Sequence, residues 1–151
     1  MKDIKGINLK HPLYVELDMR TSFMSKEDIM KWSIKCMNLV SRRWMKDLAH
    51  DNLIILAFQT MDDYLIDKIS LSEAREVALK LHERARIETE KPIIFYHRAL
   101  GQMVSIIHVK THAMGHIYYT LKLLIAMELD MVDDYLSETR EILNDIEGST
   151  S

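Results

Sequence analysis

A chain of 151 residues with a net charge of -3 fits one compact domain that can bury its apolar surface without disulfide or metal staples. Hydrophobic residues make up 48%, but glycine occurs only 4 times and proline 2 times, too little turn chemistry for a sandwich or barrel, so an all-α fold is expected. The slight acidity excludes a general attraction to phosphate backbones, and the cluster Arg42, Arg43 and Lys46 is offset by nearby acids; no nucleic-acid partner is expected.

At the N-terminus, Leu13, Val15, Leu17 and Met19 alternate with Tyr14, Glu16, Asp18 and Arg20, and this period of two predicts an extended arm or short strand within residues 1–24. Ser25 followed by Asp28 then resembles a capping box. It opens a first helix that runs to about His50 with Ile29, Ser33, Met37, Val40, Trp44 and Leu48 on one stripe. Asp51 caps a second helix to about Ile69, with Ile55, Phe58, Tyr64 and Leu65 facing inward. Ser70 and Glu73 form a cleaner capping box. Behind it Ala74, Val77, Ala78, Leu81, Ala85 and Ile87 mark a third helix to about Glu90.

Pro92 suits the first turn of a fourth helix carrying Ile94, His97, Gly101, Val104 and His108. Thr111 is a cap or kink before a fifth helix that reaches Glu128. Asp130 and Asp133 open a sixth, holding Val132, Tyr135, Leu136, Ile142 and Ile146 and terminated by Gly148. The expectation is a single-domain bundle of about six helices over residues 25–148 with short connections, preceded by the arm and followed by a flexible tail at 149–151.

Cys36 is the sole cysteine, so no internal disulfide forms, and the N-terminal stretch lacks the apolar core of a signal peptide; a cytoplasmic protein is expected. The longest apolar run, Ile117 to Met127, contains Lys122 and falls far short of the roughly 20 residues of a membrane span. No membrane partner is expected. The 11 methionines at helical spacing read as core filler. Cys36 sits mid-helix among Trp32, Met37 and Leu39, where a thiol is inert packing. Phosphate loops, the G-x-S-x-G turn and the dinucleotide fingerprint are all missing, and no catalytic residue is assigned. The paired acids Asp62–Asp63 and Asp133–Asp134 read as solvated faces.

The densest chemistry lies between Arg98 and His116. His108 and His112 stand four apart, a spacing that on a helix turns both rings toward one ion, so a divalent metal held by this pair is one reading. His116 lies eight residues beyond His108, about 12 Å away at the helical rise, so the three imidazoles do not share a metal. Two protein ligands are too few for zinc, and the pair would need Cys36, His82, His97 or a carboxylate from another helix. Val109 follows His108 where a metalloprotease has its glutamate, which excludes that chemistry, and the single Asp47-x-x-His50 excludes a di-iron bundle. The other reading is a structural seam: Gly101, Ser105, Ala113 and Gly115 are small enough to let a neighbouring helix approach the imidazoles.

Three stretches together resemble the bacterial and archaeal family of helical immunity proteins of polymorphic toxin systems. Lys31-Trp32-Ser33-Ile34-Lys35-Cys36-Met37 is similar to that family's Leu-Trp-Ala-x-x-Cys-Ala helix, and Ile69 to Arg75 to the opening of its third helix. The third stretch is the strongest: Arg98-Ala99-Leu100-Gly101-Gln102, then His108 to Gly115, resembles Arg-Ala-x-Gly-x followed by His-Val-Pro-Thr-His-Ala-x-Gly. Lys110 stands where the family pattern has proline, and His116 matches no family position. The resemblance spans about residues 28–126 and singles out Trp32, Cys36, Gly101, His108, His112 and Gly115. It implies a non-enzymatic module with a protein partner, a toxin domain occluded by a bundle surface without turnover. The alternatives are a metal-binding protein or metal-dependent enzyme using His108 and His112, and a homodimer paired through the arm at residues 13–19.

Overall fold

The computed structural model describes residues 9–150. Among them are seven α-helices and no strand: α1 (Pro12–Ser22), α2 (Lys26–Trp44), α3 (Asn52–Leu65), α4 (Leu71–Ile87), α5 (Lys91–Ser105), α6 (Gly115–Ala126) and α7 (Val132–Thr150). Short 3-10 turns at Lys46–Leu48 and Lys110–Met114 follow α2 and α5. The expected all-α class therefore holds, with one helix more than expected.

The additional helix is α1, where an arm was expected. Both periodicities fit its sequence, but the helix buries Tyr14, Leu17 and Thr21, at steps of three and four, and leaves Val15 and Met19 50% and 58% exposed. Local chemistry decides the matter. Pro12 occupies the first turn with its φ already helical, and the His11 ring accepts the Leu13 amide at 3.1 Å. Arg20 then joins Glu16 one turn back at 2.9 Å and Glu147 of α7 at 3.0 Å. With no strand at residues 13–19, a dimer paired through a strand there loses its basis; residues 1–8 of the expected arm lie outside the described residues.

The remaining starts follow their caps. Ser25 Oγ accepts the Asp28 amide at 3.1 Å, and Asp51 accepts that of Leu53 at 2.9 Å while pairing with Arg84 of α4 at 2.8 Å. Ser70 and Glu73 exchange both bonds of the capping box. Ends need backbone of their own: α6 closes with Glu128 at φ 58°, while the Glu128 and Leu129 amides return to Ile125 and Leu124, a Schellman closure usually given to glycine. The expected terminator of α7, Gly148, lies within the helix, which continues to Thr150.

α5 is the central element, packed between α4 and α6 and also against α2 and α3. It buries Tyr96, His97, Ala99, Leu100, Gly101, Met103 and Val104. On the other side α2 and α1 pack on α7, and Trp32 ties the two layers: its indole donates to the Thr139 carbonyl of α7 at 2.9 Å, and its ring meets His116 of α6 edge-on at 4.8 Å. The α3 stripe is displaced by one residue from expectation, with Ile54, Ala57, Thr60 and Met61 inward and Ile55 half exposed.

Candidate functional site

The residues singled out in sequence separate into two places. Trp32 and Cys36, one turn apart on α2, are fully buried, and burial pushes the Cys36 thiol well above its ordinary value. They are packing. His116, which matches no family position, stands against Trp32 with neither ring nitrogen hydrogen-bonded, and burial pushes its pKa down to about 3, so it is a neutral ring in the core. His97 is also interior; its Nδ1–H donates to the Ile93 carbonyl one turn back at 2.8 Å.

Arg98, Gly101, Gln102, His112 and Gly115 instead meet at one corner, where α4 and α5 lie against the 3-10 turn. The glycines make the corner possible. A Cβ on Gly101 would stand 2.7 Å from Cε1 and 2.8 Å from Nε2 of His82, closer than side-chain carbons are found, so the His82 ring of α4 lies directly on the α5 backbone. From there its Nδ1 accepts a hydrogen bond from Arg98 Nη1 at 2.9 Å. A Cβ on Gly115 would collide with the side chain of Gln102, 2.7 Å from its Cδ, and Gln102 Oε1 accepts the His112 Nδ1–H at 3.1 Å. Gly115 heads α6 at φ -59°, so contact and not backbone conformation requires glycine there.

The expected helical pairing of His108 and His112 does not form. α5 stops at Ser105, and Val109 is extended at φ -139°, ψ 109° before the 3-10 turn begins. That is the backbone a following proline imposes, and proline is what the family pattern carries at position 110. His108 is half-buried with Nε2 unpartnered, while His112 is exposed. Among the described residues no three of His, Cys, Asp and Glu converge as a metal site.

The corner is cationic. His82 is held below the ordinary histidine range by burial, then by Arg98, Arg86 and His112; His108 is lowered by burial, then by Arg75, Lys26 and His112. The charged groups around both rings are all basic. Arg75, Leu79, His82 and Arg86 recur at steps of four, three and four, so they share one face of α4. Among the described residues no carboxylate lies within ion-pair distance of Arg75, Arg86 or Arg98.

His82 and Arg98 are the functional candidates that sequence reasoning placed least well. His82 entered only as a possible extra metal ligand, and Arg98 only as part of the family stretch. The signal for His82 was the acid-free stripe of α4, and that for Arg98, on α5, was the family stretch alone.

The family model described as Imm-5 like putative immunity protein matches residues 19–148, and the chain belongs to that family. No curated protein and no solved structure matches the chain.

Proposed function

We propose that this protein is a non-enzymatic, toxin-immunity-type binding module of the cytoplasm that occludes a toxin domain by stoichiometric contact. The binding unit is the helical body over residues 25–148, with α1 bracing α7. One observation carries the reading: the family-matching Arg98 and His112 gather with Gln102 at a single corner, and among the described residues no acid pairs with Arg98 there. That corner is the docking face. Among the described residues no helix is long and apolar enough to cross a membrane, which suits action on a partner in water.

The test is co-expression with candidate toxin domains from the genome that encodes this chain. Protection of growth together with a 1:1 complex in light scattering is expected. A toxin that remains active and unbound in the presence of excess protein sinks the proposal.

A second reading, a divalent metal on His108 and His112, has the buried and unpartnered His108 Nε2 in its favour. Elemental analysis of untagged protein separates the two. Stoichiometric metal, with melting lowered by chelator, would replace the first reading.

A further inference from the structure

Arg98 presents a charge that the fold has arranged and left uncompensated. A guanidinium carries five N–H donors, and among the described residues the one acceptor for Arg98 is a ring nitrogen of His82, which carries no negative charge. Elsewhere four arginines pair with acids, Arg20 with Glu16 at 2.9 Å, Arg43 with Glu138 at 2.7 Å, Arg84 with Asp51 at 2.8 Å and Arg140 with Glu16 at 3.5 Å, while the exposed Arg42 donates to the Asn38 carbonyl. With 23 acids against 20 bases, partners were plentiful. At the corner, Arg86 adds positive charge around the same ring, and Arg75 and Lys26 do so around His108. Holding like charges together in a half-buried position is unfavourable unless an anion completes it.

We propose that the guanidinium of Arg98, seated on His82 and flanked by Arg86 and His112, receives an aspartate or glutamate carboxylate from an acidic segment of the partner protein. The geometry suits that ligand. With His82 occupying one Nη1–H, the fork retains enough donors for a bidentate carboxylate. Gly101 fixes where the fork stands, because it admits the His82 ring on which Arg98 rests. This inference rests on the corner being the docking face proposed above.

The experiment uses the full chain, labelled with nitrogen-15, and three probes at matched ionic strength: a blocked peptide of alternating Asp and Glu, its Asn and Gln counterpart, and inorganic phosphate. The acidic peptide should saturate the shifts of the Arg98 Nε–H and of the His82 ring. It should also raise the titration midpoints of His82, faced by Arg86, Arg98 and His112, and of His108, faced by Arg75, Lys26 and His112. Arg98→Gln should weaken the peptide about tenfold, as loss of a charge-assisted pair predicts, and the exposed Arg86→Gln about threefold. Arg42→Gln on α2 should change it less than about twofold.

Unsaturable shifts, equal losses in Arg98→Gln and Arg42→Gln, or saturation by phosphate but not by peptide would each overturn the proposal. A toxin complex that survives Arg98→Gln unchanged rejects the carboxylate site and leaves the immunity role standing. Saturation by the peptide in a chain that binds no toxin does the reverse.

Discussion

The buried α2 segment and the α4–α5 corner both contain family residues, yet they use them for opposite ends. Around Trp32, the side chains are enclosed by the chain itself: the indole reaches the Thr139 carbonyl, Cys36 is buried and His116 is a neutral ring packed edge-on against the indole. Around Arg98, small residues bring rings and cations together and leave their charge facing out. A family pattern is therefore not a list of binding residues. Side chains enclosed in the core maintain the fold, and charged side chains outside it that have no acid beside them are the ones to test for binding.

The contrast is sharpest under substitution. Trp32→Ala removes a fully buried ring that joins three helices and should destabilise the protein by about 3–5 kcal/mol in urea unfolding. Whatever fraction stays folded should retain its partner. Arg98→Gln should do the opposite, weakening binding at the corner about tenfold with a stability change under about 1 kcal/mol, since no ion pair is broken. If both variants lost stability and binding in proportion, the two regions would not be separable.

Acid probes the core side most strongly. Because burial depresses the His116 pKa to about 3, the folded chain refuses a proton that the unfolded chain takes up below about pH 6.5. Stability is then complete above that pH and declines as pH falls toward 3, at about 1.4 kcal/mol per unit, or about 2 kcal/mol by pH 5. His82 and His108, also depressed, add to the fall in the same direction. In His116→Phe the difference in unfolding free energy between pH 7.5 and pH 5 should shrink by about 2 kcal/mol; an unchanged difference would show that the native core admits the proton.

How much of this was legible in the sequence depended on whether a pattern had one solution. α4 was readable from Ser70 and Glu73 through Ala85, because its cap and its stripe of small apolar residues agree. In α3, the run Leu53-Ile54-Ile55-Leu56-Ala57-Phe58 gives apolar faces in several directions, and tertiary contact chose one residue earlier than periodicity did. α1 was lost to an alternation of apolar and polar residues whose members Val15 and Met19 the helix leaves exposed, while it buries Tyr14, Leu17 and Thr21. The corner was half legible. Its glycines and His112 were found from the family stretch, but the extended Val109 broke the helix on which the histidine pairing had been built. Net charge misled in another way, since an average of -3 conceals a local cluster made by residues 11 to 37 positions apart, such as Arg75, Arg86, Arg98 and His112.

The smallest expected change in stability belongs to Gly101→Ala, and it separates the two uses of family residues most cleanly. Alanine within α5 gains about 1 kcal/mol of helix propensity over glycine, while its Cβ forces the His82 ring to move by some tenths of an ångström or more. His82 is half-buried and can rotate outward, so the displacement costs about as much as the helix gains, and unfolding should shift by less than about 1 kcal/mol. Arg98 then loses the ring that positions it. Partner affinity should fall about as far as in Arg98→Gln, and the Arg98 Nε–H resonance should move in the free protein. If Gly101→Ala stabilised the chain and left affinity intact, the glycine would serve helix packing alone and the corner would belong with Trp32 to the core.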